Sequence, residues 1–167
     1  CGKRVGLLTM GLEEIPEEWA GTLFDLLGQL VRNAVEHGIE SSHTRIEQGK
    51  PAIGTLVIEF VTLGTQGFEL NVQDDGAGLD SERIAAAAIK LGLVEAEAAP
   101  TLPPARLISL IFQPGVTTSE MAGRMGLGMA VVRDHLQRIG GKLQCATKRG
   151  RFTRYRIALP ALVESQR

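Results

Sequence analysis

The sequence predicts an α+β fold, a two-layer sandwich in which one mixed, mostly antiparallel sheet carries its helices on one face. Three observations lead there: an amphipathic helical stretch near the N-terminus, two pairs of alternating runs that read as hairpins, and helical patterns between those pairs. Glycines punctuate the pieces, 20 of them in 167 residues, against a usual share of about 7%.

A strand opens the chain. From Trp19 to His37 the apolar residues Leu23, Leu26, Leu27, Leu30, Val31, Ala34 and Val35 recur at three and four, the period of a helix with one buried face, and Gly38 stops it. Residues 54–64 and 67–74 alternate around Thr65-Gln66-Gly67, predicting an antiparallel hairpin whose second strand runs into Asp74-Asp75-Gly76-Ala77-Gly78. Helical patterns return at 81–92 and 104–112, joined by the small, proline-bearing stretch from Glu95 to Pro104. Residues 113–125 are polar and poor in core residues, the composition of a lid. A helix from about Gly126 to Ile139 ends at Gly140-Gly141, and runs 142–147 and 152–159 make a closing hairpin around Lys148-Arg149-Gly150.

A chain of 167 residues that is 44% apolar can bury one sizeable core, so a single domain is expected over 1–167. Because residue 1 is Cys rather than Met, that domain is expected to be a fragment of a longer, multidomain protein. Eighteen Lys and Arg against nineteen Asp and Glu give a net charge of −1, which excludes a nucleic-acid-coating protein. No apolar run approaches the roughly 18 residues of a membrane span, and no signal-peptide order opens the chain, so a cytoplasmic domain without membrane contact is expected. Cys1 and Cys145 cannot build a disulfide framework, and neither has a partner at metal-ligand spacing, which excludes structural zinc.

Three local patterns carry chemistry. Spacing of four places Gln29, Asn33 and His37 on one helix face, a stripe that either caps a buried network or lines a ligand cleft. Amide oxygens of Asn and Gln suit Mg²⁺, which keeps several waters and takes its other oxygens from phosphates. Asp74-x-Gly76-x-Gly78 reads either as a tight turn or as a site where a carboxylate accepts from an exocyclic amine while glycines let backbone pass close to a flat ring such as adenine. The third pattern, Gly123-Arg124-Met125-Gly126-Leu127-Gly128, opens a helix, where unpaired N–H groups and the helix dipole can cradle phosphate. No G-K-[ST] follows and no βαβ unit surrounds it, so it is neither a Walker loop nor a Rossmann fingerprint.

In this order the patterns resemble a family, the GHKL or Bergerat-fold ATP-binding domains of histidine kinases, gyrase-type topoisomerases, ninety-kilodalton heat-shock chaperones and mismatch-repair clamps. Within it the likeness is to the catalytic domains of CheA-type chemotaxis histidine kinases. Residues 30–40, Leu30-Val31-Arg32-Asn33-Ala34-Val35-Glu36-His37-Gly38-Ile39-Glu40, resemble the N box. Asp74 to Asp80 resemble the first glycine box, Leu110 to Thr118 the F box, and Gly126 to Val132 the second glycine box; the likeness runs from about residue 5 to Pro160. It implies that Asp74 binds the adenine amine with Thr153 in support, that Gly76 and Gly78 shape the adenine pocket, and that Asn33, with Gln29, holds Mg²⁺. It further implies that His37 lies near the phosphates, that Gly126, Leu127 and Gly128 hold the phosphate tail, that Arg124 reaches the terminal phosphate, and that Phe112 packs at the hinge of the 113–125 lid.

The chain departs from the family at Gln29, where chemotaxis kinases carry His, so weaker metal binding is implied. It departs again in the Gly123-Arg124-Met125-Gly126 spacing, one residue longer between glycines than the family's, and at Phe152, where Gly is usual. Hydrolytic members place Glu at the position of Gln29 as a general base toward water; Gln cannot take that proton, which favours a phosphotransfer kinase. None of His37, His43 and His135 has an acceptor's setting. The resemblance therefore implies transfer of the ATP γ-phosphoryl group to a His on a separate phosphotransfer domain, then to a response regulator, in chemotaxis-type two-component signalling. An SH3-like coupling domain is expected in the parent chain, and the isolated domain, lacking coiled-coil heptads, is expected to be a monomer. A non-catalytic nucleotide-sensing or interaction module on the same fold stays open, and behind it a GHKL ATPase clamp.

Overall fold

Alternation along the strands sets the layering of the molecule, of which the computed structural model describes residues 2–116 and 128–162. In β2 (Gly54–Thr62) Gly54, Leu56, Ile58 and Phe60 are buried and the residues between them are not. The pattern repeats in β3 (Phe68–Asp74) with Leu70, Val72 and Asp74, and in β5 (Phe152–Leu159) with Thr153, Tyr155, Ile157 and Leu159. Register keeps these residues on one face, because Asp74 stands opposite Thr153, Val72 opposite Tyr155 and Leu70 opposite Ile157. With β1 (Val5–Met10) and β4 (Lys142–Lys148) at the edges, the sheet order is β1-β2-β3-β5-β4. Among the described residues only β1 and β2 run parallel; the other pairs are antiparallel. The outer face is polar over β3 and β5, where Arg156 Nε donates to Glu69 at 2.6 Å and Arg154 Nε to Gln73 at 2.7 Å.

All the helices that bury apolar stripes meet the inner face. The first, α1 (Glu17–Asn33), contributes Trp19, Leu23, Leu26, Leu27 and Leu30 to the core. Its Trp19 meets Phe68 edge-on at 5.2 Å, and Phe68 stacks on Phe60 at 5.6 Å. Asp80 caps α3 (Ser81–Lys90), accepting from the N–H groups of Glu82 and Arg83, and Ile84 and Ala88 face inward. From α5 (Gly128–Arg138) come Val132 and Leu136. The α+β sandwich with a mixed sheet is thus the fold found.

Three local differences from the expected elements have physical causes. The helix expected to run to His37 changes its last turn to a π turn, Ala34–Gly38, in which the Ile39 N–H donates to the Ala34 carbonyl at 2.7 Å. The stretch expected at 104–112 divides into α4 (Pro104–Ser109) and a 3₁₀ turn, Leu110–Phe112, with Phe112 packed against the core. A helix not expected, α2 (Ser42–Glu47), is too short to show a period; Ser41 caps it, accepting from the Thr44 N–H at 3.1 Å. Of the expected lid, residues 117–125 lie outside the described residues, as do Gly126 and Leu127. No helix among the described residues is long and apolar enough to cross a membrane.

Leu30 has no exposed surface and sits where α1 meets the sheet. Leu30→Ala is expected to lower unfolding free energy by about 3 kcal/mol, read from urea denaturation.

Candidate functional site

Strand β3 ends by delivering Asp74 to the inner face, where it is 4% exposed beside the equally buried Thr153. Burial pushes its carboxyl up to about 6, and the charges of Asp75 and Glu40 add to the rise. Two groups oppose it: the Gly76 N–H, donating to Oδ1 at 3.0 Å, and the ammonium of Lys50. A buried carboxylate holding one backbone donor keeps acceptor capacity for another, such as an amine.

Beyond Asp74 the chain crosses the end of the N-terminal helical stretch in close contact. A side chain at Gly76 would overlap the Gly38 carbonyl, and the Ala77 N–H donates to that same carbonyl at 2.8 Å. Gly78 has φ +70°, and a Cβ on it would come within 2.5 Å of the Lys148 carbonyl oxygen. Both positions therefore need glycine to keep this loop between α1 and the β4–β5 turn.

A buried ionic clamp fixes the loop from the far side. Arg45, 1% exposed, sends Nη2 to the Asp75 carboxylate at 2.8 Å and Nη1 to Glu40 at 3.1 Å and to the Asp75 carbonyl at 3.2 Å. Its Nε donates to the Pro51 carbonyl at 2.7 Å. Lys50 reaches Glu40 at 2.6 Å and the Gly76 carbonyl at 2.8 Å, while the other Asp75 oxygen accepts from the Thr55 N–H at 2.8 Å.

The helical side of the site is fixed by the π turn. Lys3 donates to the Val35 carbonyl at 2.9 Å and the Glu36 carbonyl at 2.7 Å, groups at a helix end that lack a following turn. One turn earlier, the Asn33 amide nitrogen donates to the Met129 sulfur of α5 at 2.8 Å. That weak contact occupies the nitrogen and leaves the amide oxygen for a hard cation. Among the described residues no three His, Cys, Asp or Glu side chains converge.

These elements enclose a cleft of about 340 Å³, within the range of small-molecule sites. Asp74, Thr153 and Tyr155 line it from the sheet, Asn33 and His37 from the helix, and Arg83 and Arg149 add positive charge. The structure thus brings Asn33, His37, Asp74, Gly78 and Thr153 to one cavity, and sets Gly76 against Asp74 just behind it. Gln29 is not in that lining; it borders a second recess of about 200 Å³ between α1 and α5, with Asp25 and His135. Gly128 begins α5, while Arg124, Gly126 and Leu127 lie outside the described residues. Sequence reasoning missed Lys3, Arg45, Lys50, Arg83, Arg149 and Tyr155. The first three act on backbone groups far along the chain and leave no local signal; alternation along 152–159 marked Tyr155 only as an inward residue.

Two variants test this architecture. In the unfolded chain Asp74 ionises near its ordinary 3.8, whereas in the fold it does so at about 6, so its burial makes stability fall as pH rises between those values. Asp74→Asn is therefore expected to gain stability relative to the native chain across that window and to match or exceed it at neutral pH, read from urea midpoints. Arg45→Met removes the guanidinium that Glu40 and Asp75 share, and is expected to cost about 3 kcal/mol or more in the same assay.

Residues 21–163 match the model of the family described as histidine kinase-, DNA gyrase B-, and HSP90-like ATPase. The chain is 34% identical to the chemotaxis protein CheA of Bacillus subtilis (strain 168) over 163 residues, 95% of this chain and 24% of that protein. It is 37% identical to the gliding motility regulatory protein of Myxococcus xanthus over 164 residues, 95% of this chain and 21% of that one. It therefore spans about a quarter or less of the length of these relatives. Among solved structures it is similar to the histidine kinase domain of the blue-light activated histidine kinase of Erythrobacter litoralis EL346, with a TM-score of 0.56 at 16% identity, covering 93% of this chain and 54% of that one. Fold, cleft and family model agree: the chain belongs to the histidine kinase-, DNA gyrase B- and HSP90-like ATPase family.

Proposed function

We propose that this chain is the ATP-binding catalytic domain of a CheA-like histidine kinase. The observation that carries the reading is the juxtaposition, in one cleft, of the buried carboxylate of Asp74 and the Asn33–His37 helix face. Asp74 accepts a hydrogen bond from the adenine amine, Thr153 supports it, and the glycine loop lets the base lie against backbone. Asn33 presents its amide oxygen to the Mg²⁺ that accompanies the phosphates. That ion supplies charge neutralisation for the transferred group. His37 donates toward the phosphates, Arg83 and Arg149 add positive charge at the cleft, and Arg124, Gly126, Leu127 and Gly128 complete the phosphate end.

Phosphoryl transfer of this kind rests on positioning and electrostatics, so it needs no general base on this chain. The acceptor is a His on a phosphotransfer domain elsewhere in the parent protein, and a response regulator receives the group from it, in the cytoplasm. An SH3-like coupling domain regulates the parent protein, and the domain by itself is a monomer. The position of Gln29 outside the cleft lining favours a second reading, a nucleotide-sensing module in which metal is held weakly and transfer is lost.

Titration with ATP, with and without Mg²⁺, tests both. Native chain is expected to bind ATP more tightly with Mg²⁺, and Asn33→Asp to change that dependence while Asp74→Asn weakens binding at least about tenfold. Failure to saturate at millimolar nucleotide overturns the ATP reading. Saturable binding with no transfer to any phosphotransfer domain of the parent protein selects the sensing module. Because Asp74 loses its charge as pH falls through about 6, affinity for ATP is expected to decline on the acid side of that value, and to be level above it.

A further inference from the structure

Tyr155 stands at the base of the cleft without a role in the scheme above. It is 6% exposed, lies on the inner face of β5 two residues beyond Thr153, and faces Val72 on one side and Cys145 on the other. It lines the same cavity as Asp74. Among the described residues its hydroxyl makes no hydrogen bond, and it is not one of the fully enclosed orphan polar atoms, so it is open to the cleft that the residue lines. Burial, then the nearby Cys145 and Asp74, hold the phenol above its ordinary range, so it remains a neutral donor at any working pH. A hydroxyl that faces the cleft and is not engaged by the protein is free to donate to a bound ring, and once a base covers it an acceptor is needed to replace water.

We propose that the Tyr155 hydroxyl is a specificity determinant of the cleft, donating to a ring nitrogen of the bound base while Asp74 accepts from the exocyclic amine. The inference rests on the adenine-nucleotide reading and deepens it. Asp74 and Tyr155 together present an acceptor beside a donor. Adenine offers the complement, an amine donor flanked by ring-nitrogen acceptors. Guanine places a carbonyl oxygen where adenine has the amine, so the same pair leaves Asp74 facing an acceptor. Discrimination of this kind is strong because a mismatched base leaves buried polar groups unpaired on both sides.

Tyr155→Phe removes the hydroxyl and keeps the ring, so the packing between β5 and its neighbours is retained. Dissociation constants are measured for ATP, 1-deaza-ATP and 7-deaza-ATP on the native chain and on Tyr155→Phe. The variant is expected to bind ATP about tenfold more weakly. On the native chain one of the two deaza analogues is expected to show a similar loss, and on the variant that analogue and ATP are expected to bind alike. Equal ATP affinity for the variant and the native chain overturns the proposal, as does a loss shared equally by ATP and both analogues. A native chain that binds none of the three overturns the nucleotide reading itself, an outcome distinct from native binding with an unaffected variant.

Discussion

The site depends on the burial of one guanidinium. Arg45 is enclosed between α2 and the loop after β3, and its hydrogen bonds to Asp75, Glu40 and the Pro51 carbonyl hold in place a segment with no regular structure of its own. Taking a charge from water is costly, and the arrangement persists because both terminal nitrogens and Nε have partners and two carboxylates neutralise the charge. Lys50 completes it by binding Glu40 and the Gly76 carbonyl together. Asp75 faces the clamp while Asp74, its neighbour, faces the cleft. Adjacent carboxylates thus serve opposite sides of one strand end, as the twofold alternation of β structure requires.

Asp74 shows how the clamp and the chemistry are linked. Its carboxyl lies among like charges from Asp75 and Glu40, both anchored by Arg45, and only Lys50 among the charged neighbours favours its ionised form. At neutral pH the fold therefore carries a charged carboxylate that burial disfavours. On the proposed reading a bound amine offsets part of that cost, so the group that lowers fold stability is the one that would favour the ligand.

The helical side is arranged by a comparable device. A π turn in place of the last α turn resets the direction of His37 and Gly38, and Lys3 from the segment before β1 binds the carbonyls there. Asn33 is held from α5 by Met129, so the amide is fixed by a contact between two helices. The cleft is therefore bounded by groups drawn from the sheet, the helix layer and the turn between β4 and β5, while the polar outer face of the sheet takes no part.

Much of this was legible in the residues. Spacing of three and four located α1, twofold alternation located β2 to β5, and the order of four boxes pointed to the fold and to Asn33, His37, Asp74 and Thr153. Periodicity reports burial of one face directly, because a helix or strand places its residues by fixed geometry. Spacing of four placed Gln29 with Asn33 on α1, yet Gln29 borders the recess toward α5 rather than the cleft, because which cavity a helix face meets is set by its neighbours. Nor did periodicity reveal α2, the π turn, or the roles of Lys3 and Arg45, which reach Val35, Glu36 and Asp75 about 30 residues away. Sequence by itself determined the longer elements, their order and the family likeness, since these follow from local backbone preference and pattern. Tertiary structure alone decided which charges are buried together, which carbonyls they bind, and that Tyr155 ends in the cleft, because contacts between side chains and distant backbone leave no periodic trace along the chain.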